Sequence, residues 1–248
     1  MKKALTAVLI VALLAVFGYS AYRIGDYLLE MRRSEKDTQE AAKYVEVPHV
    51  EDRDLNDMIY PDKLKNEFLV NFEELWKINP DIVAWIYSPD TPINYPVVQA
   101  EDNAKYLRRL LDGSWNIAGT LFLDFRCQPD FTSTNNIIYG HHMKYGTMFG
   151  SLVKYRSQSY YDTHPMLYLA TPDQVYRVDL FAGCTIDSLD DIYQAYVTPE
   201  QIQAMIRNST FRSSREISVD GPILTLSTCA YDFDGARYVV MGALIPTK

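Results

Sequence analysis

The chain of 248 residues has room for one good-sized domain plus appendages, and its 48% hydrophobic and 23% charged residues are ordinary for a globular protein. Its net charge of −8, with no long basic run beyond the N-terminus, argues against a nucleic-acid partner, because phosphate binding needs a basic surface. The three cysteines exclude a dense disulfide framework and show no metal-ligand spacing. One disulfide with one free thiol, or three free thiols, both fit that count.

The N-terminus carries an uncharged stretch of 19 residues, Ala4 to Tyr22, directly after Lys2 and Lys3. As a helix, this stretch is about long enough to cross the ~30 Å hydrocarbon core of a membrane. The alternative is a cleaved signal peptide, but no clean small-residue cleavage site follows the stretch. We therefore expect residues 1–22 to be a cytoplasmic tip and a transmembrane signal anchor, with the rest of the chain exported.

Residues 23–62 are charged and lack a sustained apolar face, which indicates a juxtamembrane helix followed by a stalk. A globular domain is expected over residues 63–248. It begins with a helical pattern that breaks at Asn79-Pro80, and helical patterns recur at 102–111 and after Thr198 and Pro199, a cap and a first helical position. Eight short β-type runs, bounded by turn residues, predict a mainly β fold with a closed or nearly closed barrel: 82–88, 93–99, 119–125, 135–141, 165–171, 175–186, 222–229 and 237–245.

The last two runs place a cysteine and an arginine at facing strand ends. Cys229 closes one run and Arg237 opens the next, so a return loop between them would set the two side chains opposite each other. A guanidinium there favours a thiolate or stabilises an oxyanion. His141 follows another strand, which stops at Gly140. From spacing alone, the commoner interpretation is a core thiol, a histidine hydrogen-bonded to a neighbour and a solvated arginine.

Three separated motifs, in the same order along the chain, resemble the sortase family. "TLSTC" with an arginine eight residues on, in "STCAYDFDGARYVVMGALI", resembles the active-site segment of sortases. "NNIIYGHHMKYGTMFGSL" and the upstream "INPDIVAWIYSPDTPINYPVVQAEDNAKYL", followed by "GTLFLD", resemble the class B branch. The resemblance runs from about Phe72 to Ile245. It implies an eight-stranded sortase-type β-barrel with an N-terminal helical segment and a helix before the last strands.

The resemblance also implies roles for individual residues. Cys229 takes the role of the nucleophile, His141 that of the general acid/base, and Arg237 holds the substrate backbone and stabilises the oxyanion. His142 is interpreted as a rim residue. Substrate-binding roles fall on four further residues that the motifs place beside these three: Ser227, Tyr139, Asn103 and Leu107. Alternation along a strand puts Ser227 on the face of Cys229, and i, i+4 spacing would put Asn103 and Leu107 on one helical face.

The implied reaction is transpeptidation. A surface protein with a C-terminal sorting signal, NPxTx-like or LPxTG-like, would be cleaved after threonine and joined to an amine of a peptidoglycan cross-bridge or to a pilin lysine. The resemblance implies a membrane-anchored enzyme facing the cell wall, and we expect neither a metal nor a cofactor. Cys127 and Cys184 match no family role and are interpreted as structural thiols. Two alternatives stay open: an exported cysteine peptidase that releases its product to water, and a non-catalytic binding module.

Overall fold

The computed structural model describes residues 2–47, 68–215 and 220–247. It opens with one long helix, α1 (Lys2–Ala42), and a short strand, β1 (Val45–Glu46), which pairs antiparallel with β2 (Leu69–Val70). A two-turn helix, α2 (Phe72–Ile78), follows; the Asn71 side chain caps it by accepting from the Glu74 amide, as expected of an asparagine at this position. The expected domain boundary near residue 63 lies outside the described residues.

Eight strands close into a barrel, and they coincide with the eight β-type runs of the sequence. Their order around the barrel is β10-β8-β7-β3-β4-β5-β6-β9, with β10 returning to β9. Six of the eight pairings are antiparallel, and β4–β5 and β6–β9 are parallel. The predicted closed eight-stranded barrel is therefore confirmed, with these bounds: β3 Ile82–Tyr87, β4 Asn94–Val98, β5 Leu121–Leu123, β6 Asn135–Tyr139, β7 Met166–Ala170, β8 Val175–Asp187, β9 Ile223–Cys229 and β10 Ala236–Pro246.

Short helices cover the barrel between its strands. One is α3 (Gln158–Thr163), and α4 (Pro199–Arg207) is the helix predicted before the last strands. Thr198 caps α4 in a capping box with Gln201, and Pro199 occupies its first turn, so the cap predicted from the sequence is confirmed. The described residues also include three 3₁₀ helices: Lys105–Arg108, Lys144–Gly146 and Leu152–Arg156.

The predicted helix over residues 102–111 is wrong; only the single 3₁₀ turn Lys105–Arg108 forms there. The Asp102 carboxylate caps this turn by accepting from the amides of Ala104 and Lys105 (2.8 Å each). The helix does not continue, because the carbonyls of Tyr106 and Arg108 accept from the amides of Thr120 (3.1 Å) and Asn116 (3.0 Å). Arg109 then becomes extended and bridges Trp115. Asn103 precedes the turn, so the helical face that we expected Asn103 and Leu107 to share does not exist.

Residues on successive positions of each strand face different parts of the core. In β6, Ile138 packs inside the barrel, whereas Ile137 packs outside it, beneath Ile202 and Met205 of α4. Gly140, directly after β6, packs closely against Phe149: an added Cβ would lie 2.7 Å from Phe149 Cδ2. A larger residue would therefore displace the segment that carries the next residue, His141.

The second half of α1 lies against the barrel. Tyr27 and Met31 pack on the barrel core, and Ala41 is fully buried. The Asn116 side chain donates to the Glu30 carbonyl (2.8 Å), and the Leu111 amide donates to Asp37 Oδ2 (3.0 Å). Composition had suggested a juxtamembrane helix and a stalk for this stretch. The structure shows that residues 27–41 of the helix are docked on the barrel through spaced contacts that do not form an apolar stripe.

Candidate active site

Two parallel strands bring Cys229 and His141 to one rim of the barrel. β6 and β9 run parallel, with Tyr139 opposite Ser227, so their carboxyl ends meet at the same edge. β9 ends at Cys229, and β6 continues through Gly140 into His141. The barrel topology therefore joins residues that are 88 positions apart in sequence.

The return strand β10 places Arg237 directly across from Cys229. The amide of Ala230 donates to the Ala236 carbonyl (3.0 Å), which makes that pair hydrogen-bonded and the adjacent Cys229–Arg237 pair non-hydrogen-bonded. In antiparallel sheets the non-bonded pairs are the closer ones, with Cα atoms ~4.5 Å apart and side chains on the same face. The expected juxtaposition of thiol and guanidinium follows from this register.

A groove of about 490 Å³ opens over these strand ends. Its walls come from the 3₁₀ turn Lys105–Arg108, from β5, β6, β9 and β10, and from the loop after β8. All seven residues singled out in the sequence line it: Cys229, His141, Arg237, Ser227, Tyr139, Asn103 and Leu107. A volume in this range is typical of ligand-binding clefts in proteins.

His141 is half-buried in the groove wall, and one ring nitrogen is held. Its Nε2 lies 2.7 Å from the Leu107 carbonyl oxygen, which can only accept, so Nε2 carries the proton and Nδ1 is the nitrogen that remains for proton transfer. Burial lowers the pKa of His141, the Leu107 hydrogen bond opposes that effect, and the positive charge of Arg108 adds to it. The neutral imidazole therefore persists to a lower pH than in an ordinary histidine.

Arg237 is partly buried and only partly satisfied by the protein. Its Nη1 donates to the carbonyls of Gly235 (3.3 Å) and Ala236 (2.9 Å), which fixes the guanidinium beside its own strand. Its Nε and Nη2 donate to none of the described residues. These donors remain for a carbonyl oxygen or an oxyanion bound at Cys229.

A buried carboxylate, which sequence reasoning missed, organises the far wall of the groove. Asp124 is fully buried and accepts from Arg126 Nε (2.9 Å) and Nη2 (2.8 Å), from the Tyr139 hydroxyl (2.9 Å) and from Asn103 Nδ2 (3.0 Å). Burial alone would raise the pKa of Asp124, but the hydrogen bonds led by Arg126 outweigh it and hold that pKa below its usual range. Two of the predicted substrate-binding residues are thus held by one carboxylate.

The loop after β8 completes the groove through Tyr193. The Tyr193 hydroxyl shares a hydrogen bond with Ser227 Oγ (2.8 Å), and its carbonyl accepts from Arg126 Nη2 (3.0 Å). Burial raises the pKa of Tyr193 to about 12. Asp124 and Arg126 follow the apolar run of β5, and that charged pair at a strand end was the signal that could have located this part of the site.

The three cysteines are all free thiols. Cys127 and Cys184 are buried, and each thiol donates to a carbonyl oxygen, of Asn135 (3.3 Å) and Met205 (3.2 Å) respectively. Burial raises the pKa of each to about 11, so both are protonated near neutral pH. Cys229 is the partly exposed thiol and lines the groove.

Asp124→Asn is expected to lower the free energy of unfolding by about 2–3 kcal/mol, because it leaves the Arg126 guanidinium without its counter-ion. The figure lies below that for fully buried pairs, since the Arg126 side chain is 38% exposed. The wild-type carboxylate has a lowered folded-state pKa, so its contribution is present above pH ~4 and is lost as the pH falls through that lowered value. Urea unfolding at neutral and acidic pH measures both effects.

Asp232→Asn is the matched control for Asp124→Asn. Asp232 pairs with Arg156 at the surface, where both side chains are more than a third exposed. A change of at most about 0.5 kcal/mol is expected there. Equal losses in the two variants, or a loss in Asp124→Asn that does not depend on pH, would contradict the anchoring role of Asp124.

Comparison with known proteins adds a family context to this geometry. Residues 86–245 match the Sortase domain family. Sortase B of Staphylococcus aureus is 31% identical over 254 residues, covering 99% of this chain and 98% of that protein, and Sortase B of Listeria monocytogenes is 30% identical over 248 residues, covering 96% and 95%. The crystal structure of sortase B from Bacillus anthracis aligns with a TM-score of 0.71 at 29% identity, covering 88% of this chain and 99% of that one.

Proposed function

We propose a mechanism for this chain, which belongs to the sortase family and is a class B cysteine transpeptidase. The reaction proceeds through a thioester on Cys229. Its substrate is a surface protein with a C-terminal sorting signal, which it cleaves after threonine. It then joins the new carboxyl end to an amine. His141 is the general acid/base, and Arg237 stabilises the oxyanion.

In the first half-reaction, the Cys229 thiol gives its proton to Nδ1 of His141, and the resulting thiolate attacks the threonine carbonyl carbon to form a tetrahedral intermediate. The guanidinium of Arg237, whose Nε and Nη2 donate to none of the described residues, stabilises the negative oxygen. When the C–N bond breaks, the leaving amine takes a proton from the His141 imidazolium. The products are the released tail and an acyl-enzyme in which sulfur carries the threonine carbonyl.

In the second half-reaction, an amine enters the groove and gives a proton to the neutral imidazole of His141 as it attacks the thioester. The new amide bond forms, the C–S bond breaks, and the departing Cys229 thiolate takes the proton back from the His141 imidazolium. The acceptor is an amine of the peptidoglycan cross-bridge or the lysine of a pilin subunit. The lowered pKa of His141 supports this step, because the base must be neutral when the amine arrives.

The observation that carries the proposal is the meeting of Cys229, His141 and Arg237 at one end of a groove. The remainder of that groove is walled by Ser227, Tyr139, Asn103 and Leu107, which we propose contact the sorting peptide. The lining combines the hydroxyl and amide groups of these residues with apolar side chains such as Phe122 and Leu189, and the signal proposed for it is NPxTx-like. An LPxTG-like signal is the alternative.

The N-terminal helix supports a membrane-bound location. α1 is long and apolar enough to cross a membrane, and its apolar part is exposed on the protein surface. We propose that residues 4–22 span the membrane once, with the lysines at positions 2 and 3 in the cytoplasm and the barrel outside, facing the cell wall.

Product analysis tests the function. The full chain in detergent micelles is incubated with NPxTx-like and LPxTG-like peptides, with and without triglycine, and the products are read by mass spectrometry. Enzyme whose accessible thiol has been blocked with iodoacetamide is the control. We expect cleavage after threonine, with triglycine joined to the new carboxyl end, and no product from the blocked enzyme.

Two results would contradict this proposal in different ways. Cleavage that never transfers the acyl group to an added amine would assign the chain to cysteine peptidases that use water. No cleavage of any peptide would favour a binding module that holds a sorting signal without reacting.

A further inference from the structure

The main-chain carbonyl of Cys229 lies beyond the hydrogen-bonding reach of both strands beside it. Since Cys229 and Arg237 form a non-hydrogen-bonded pair, the Cys229 carbonyl points away from β10 and towards β6. β6 ends too early to receive it: its last bond to β9 runs from the Gly140 amide to the Ser227 carbonyl (3.0 Å). The sheet therefore leaves the carbonyl of Cys229 without a partner from either strand.

The imidazole of His142 takes the place of the missing strand. Its Nδ1 lies 2.8 Å from the Cys229 carbonyl oxygen. A carbonyl oxygen only accepts, so Nδ1 carries the proton. This is the opposite ring nitrogen from the one that is held in His141, where Nε2 donates to the Leu107 carbonyl. The two consecutive histidines are therefore protonated on different ring nitrogens, and each proton is donated to a different carbonyl.

The loop that carries His142 is itself tied down. His142 forms a β-bridge with Met148, and the Phe149 amide donates to the His141 carbonyl (3.1 Å). The His142 ring also packs against the ring of Tyr231, with 5.3 Å between centroids. His142 was interpreted from the sequence as a rim residue. In the structure it contacts the backbone of Cys229 and is not part of the groove wall.

We propose that His142 is a positioning residue for the nucleophile: its Nδ1–H anchors the carbonyl of Cys229 and so fixes the thiol relative to His141 and Arg237. This inference rests on the proposed catalytic role of Cys229. Two consecutive residues then serve the site beyond the end of the β6–β9 ladder. His141 is the acid/base, and His142 binds the main chain of the nucleophile. Ala230, the next residue, packs in the barrel core, but the turn beyond it is exposed, with Tyr231 at 78%, and the His142 bond adds a polar restraint on that side.

Three variants of the full chain in micelles test the role of the Nδ1–H group. His142→Asn places an amide N–H where Nδ1 lies, His142→Leu fills similar space with no donor, and His142→Gln extends its amide further, towards the position of Nε2. We expect His142→Leu and His142→Gln to lower kcat about 10- to 100-fold, because small displacements of a reacting group have costs of this size. KM should change less than about 2-fold, and His142→Asn should recover kcat to within about 3-fold of wild type.

Two readouts do not depend on any peptide substrate. Nitrogen-15 spectra of the histidine rings should show the proton on Nδ1 of His142 and on Nε2 of His141. Iodoacetamide alkylation of Cys229, located by peptide mapping, should slow in His142→Leu and recover in His142→Asn. Melting temperatures of all variants separate loss of positioning from loss of fold.

A proton on Nε2 of His142, or equal kcat in the leucine and asparagine variants, would overturn the inference. So would a loss of activity that simply follows the melting temperature. If the wild-type chain transfers no acyl group from any peptide, the proposed function fails, while the spectra and the alkylation rates still decide whether His142 holds Cys229.

Discussion

Cys229→Ala is expected to abolish acyl transfer, whereas Cys127→Ala and Cys184→Ala should keep kcat within about 2-fold of wild type. The three thiols differ in environment: Cys127 and Cys184 are buried, with a pKa raised to about 11, and Cys229 lines the groove beside Arg237. The serine variant of Cys229 should also lose at least about 10³-fold, because a hydroxyl at its ordinary pKa is a weak nucleophile.

Intact-mass spectrometry of the enzyme with excess peptide and no amine measures this directly. The wild type should gain the mass of the acyl fragment, and peptide mapping should place it on Cys229. The two buried-cysteine variants are the controls, since they should form the same adduct at the same rate. An adduct on either buried cysteine, or turnover by Cys229→Ala, would refute the assignment of the nucleophile.

His141→Gln is expected to lower kcat by about 10²- to 10⁴-fold, the range typical of losing a general acid/base. Glutamine keeps an N–H that can donate to the Leu107 carbonyl, so the local hydrogen bond survives while the titrating nitrogen is lost. KM should change little, because the groove walls remain. Steady-state kinetics with a cleavable fluorescent peptide measures both constants. A loss confined to KM would show that His141 binds the substrate and does not transfer protons.

The pH dependence of the active enzyme gives a second test of His141. Since burial and the charge of Arg108 lower the pKa of His141, the acid limb of kcat/KM should lie below 6.5, the ordinary value of histidine. Arg108→Gln removes a nearby positive charge, which makes protonation easier and moves the acid limb to higher pH. An acid limb that does not respond to Arg108→Gln would indicate a different titrating group.

Much of the barrel could be predicted from the sequence because its strands are short, apolar and separated by turn residues. The same reasoning failed at residues 102–111, where the apolar spacing favoured a helix. Only one 3₁₀ turn forms there, because the following carbonyls of Tyr106 and Arg108 accept from the distant amides of Thr120 and Asn116. The docking of α1 was also hidden, because the residues that it buries at helical spacing include polar ones such as Glu30 and Ser34, so no apolar stripe marks the docked face.

The candidate site was located by motifs, but its supporting contacts were not. Cys229, His141 and Arg237 stand at strand ends, and strand ends are visible in a sequence. Asp124 receives bonds from residues 21 positions before it and 15 after it, and only the folded barrel brings these together. The hydrogen bond of His142 depends on where two ladders end, and no residue pattern encodes that.

The docked helix has a consequence for where the enzyme can act. With residues 4–22 in the bilayer, α1 reaches its first barrel contact at Tyr27, about 7.5 Å further along its axis. If residues 23–42 were a flexible coil, the distance between the membrane and the barrel could instead vary over about 25 Å. In the proposed membrane-bound state, the rigid helix would hold the groove at one height above the lipid and with one face towards it. Substrates would then be selected by how far their cleavage point extends from the membrane, in addition to their amino-acid sequence.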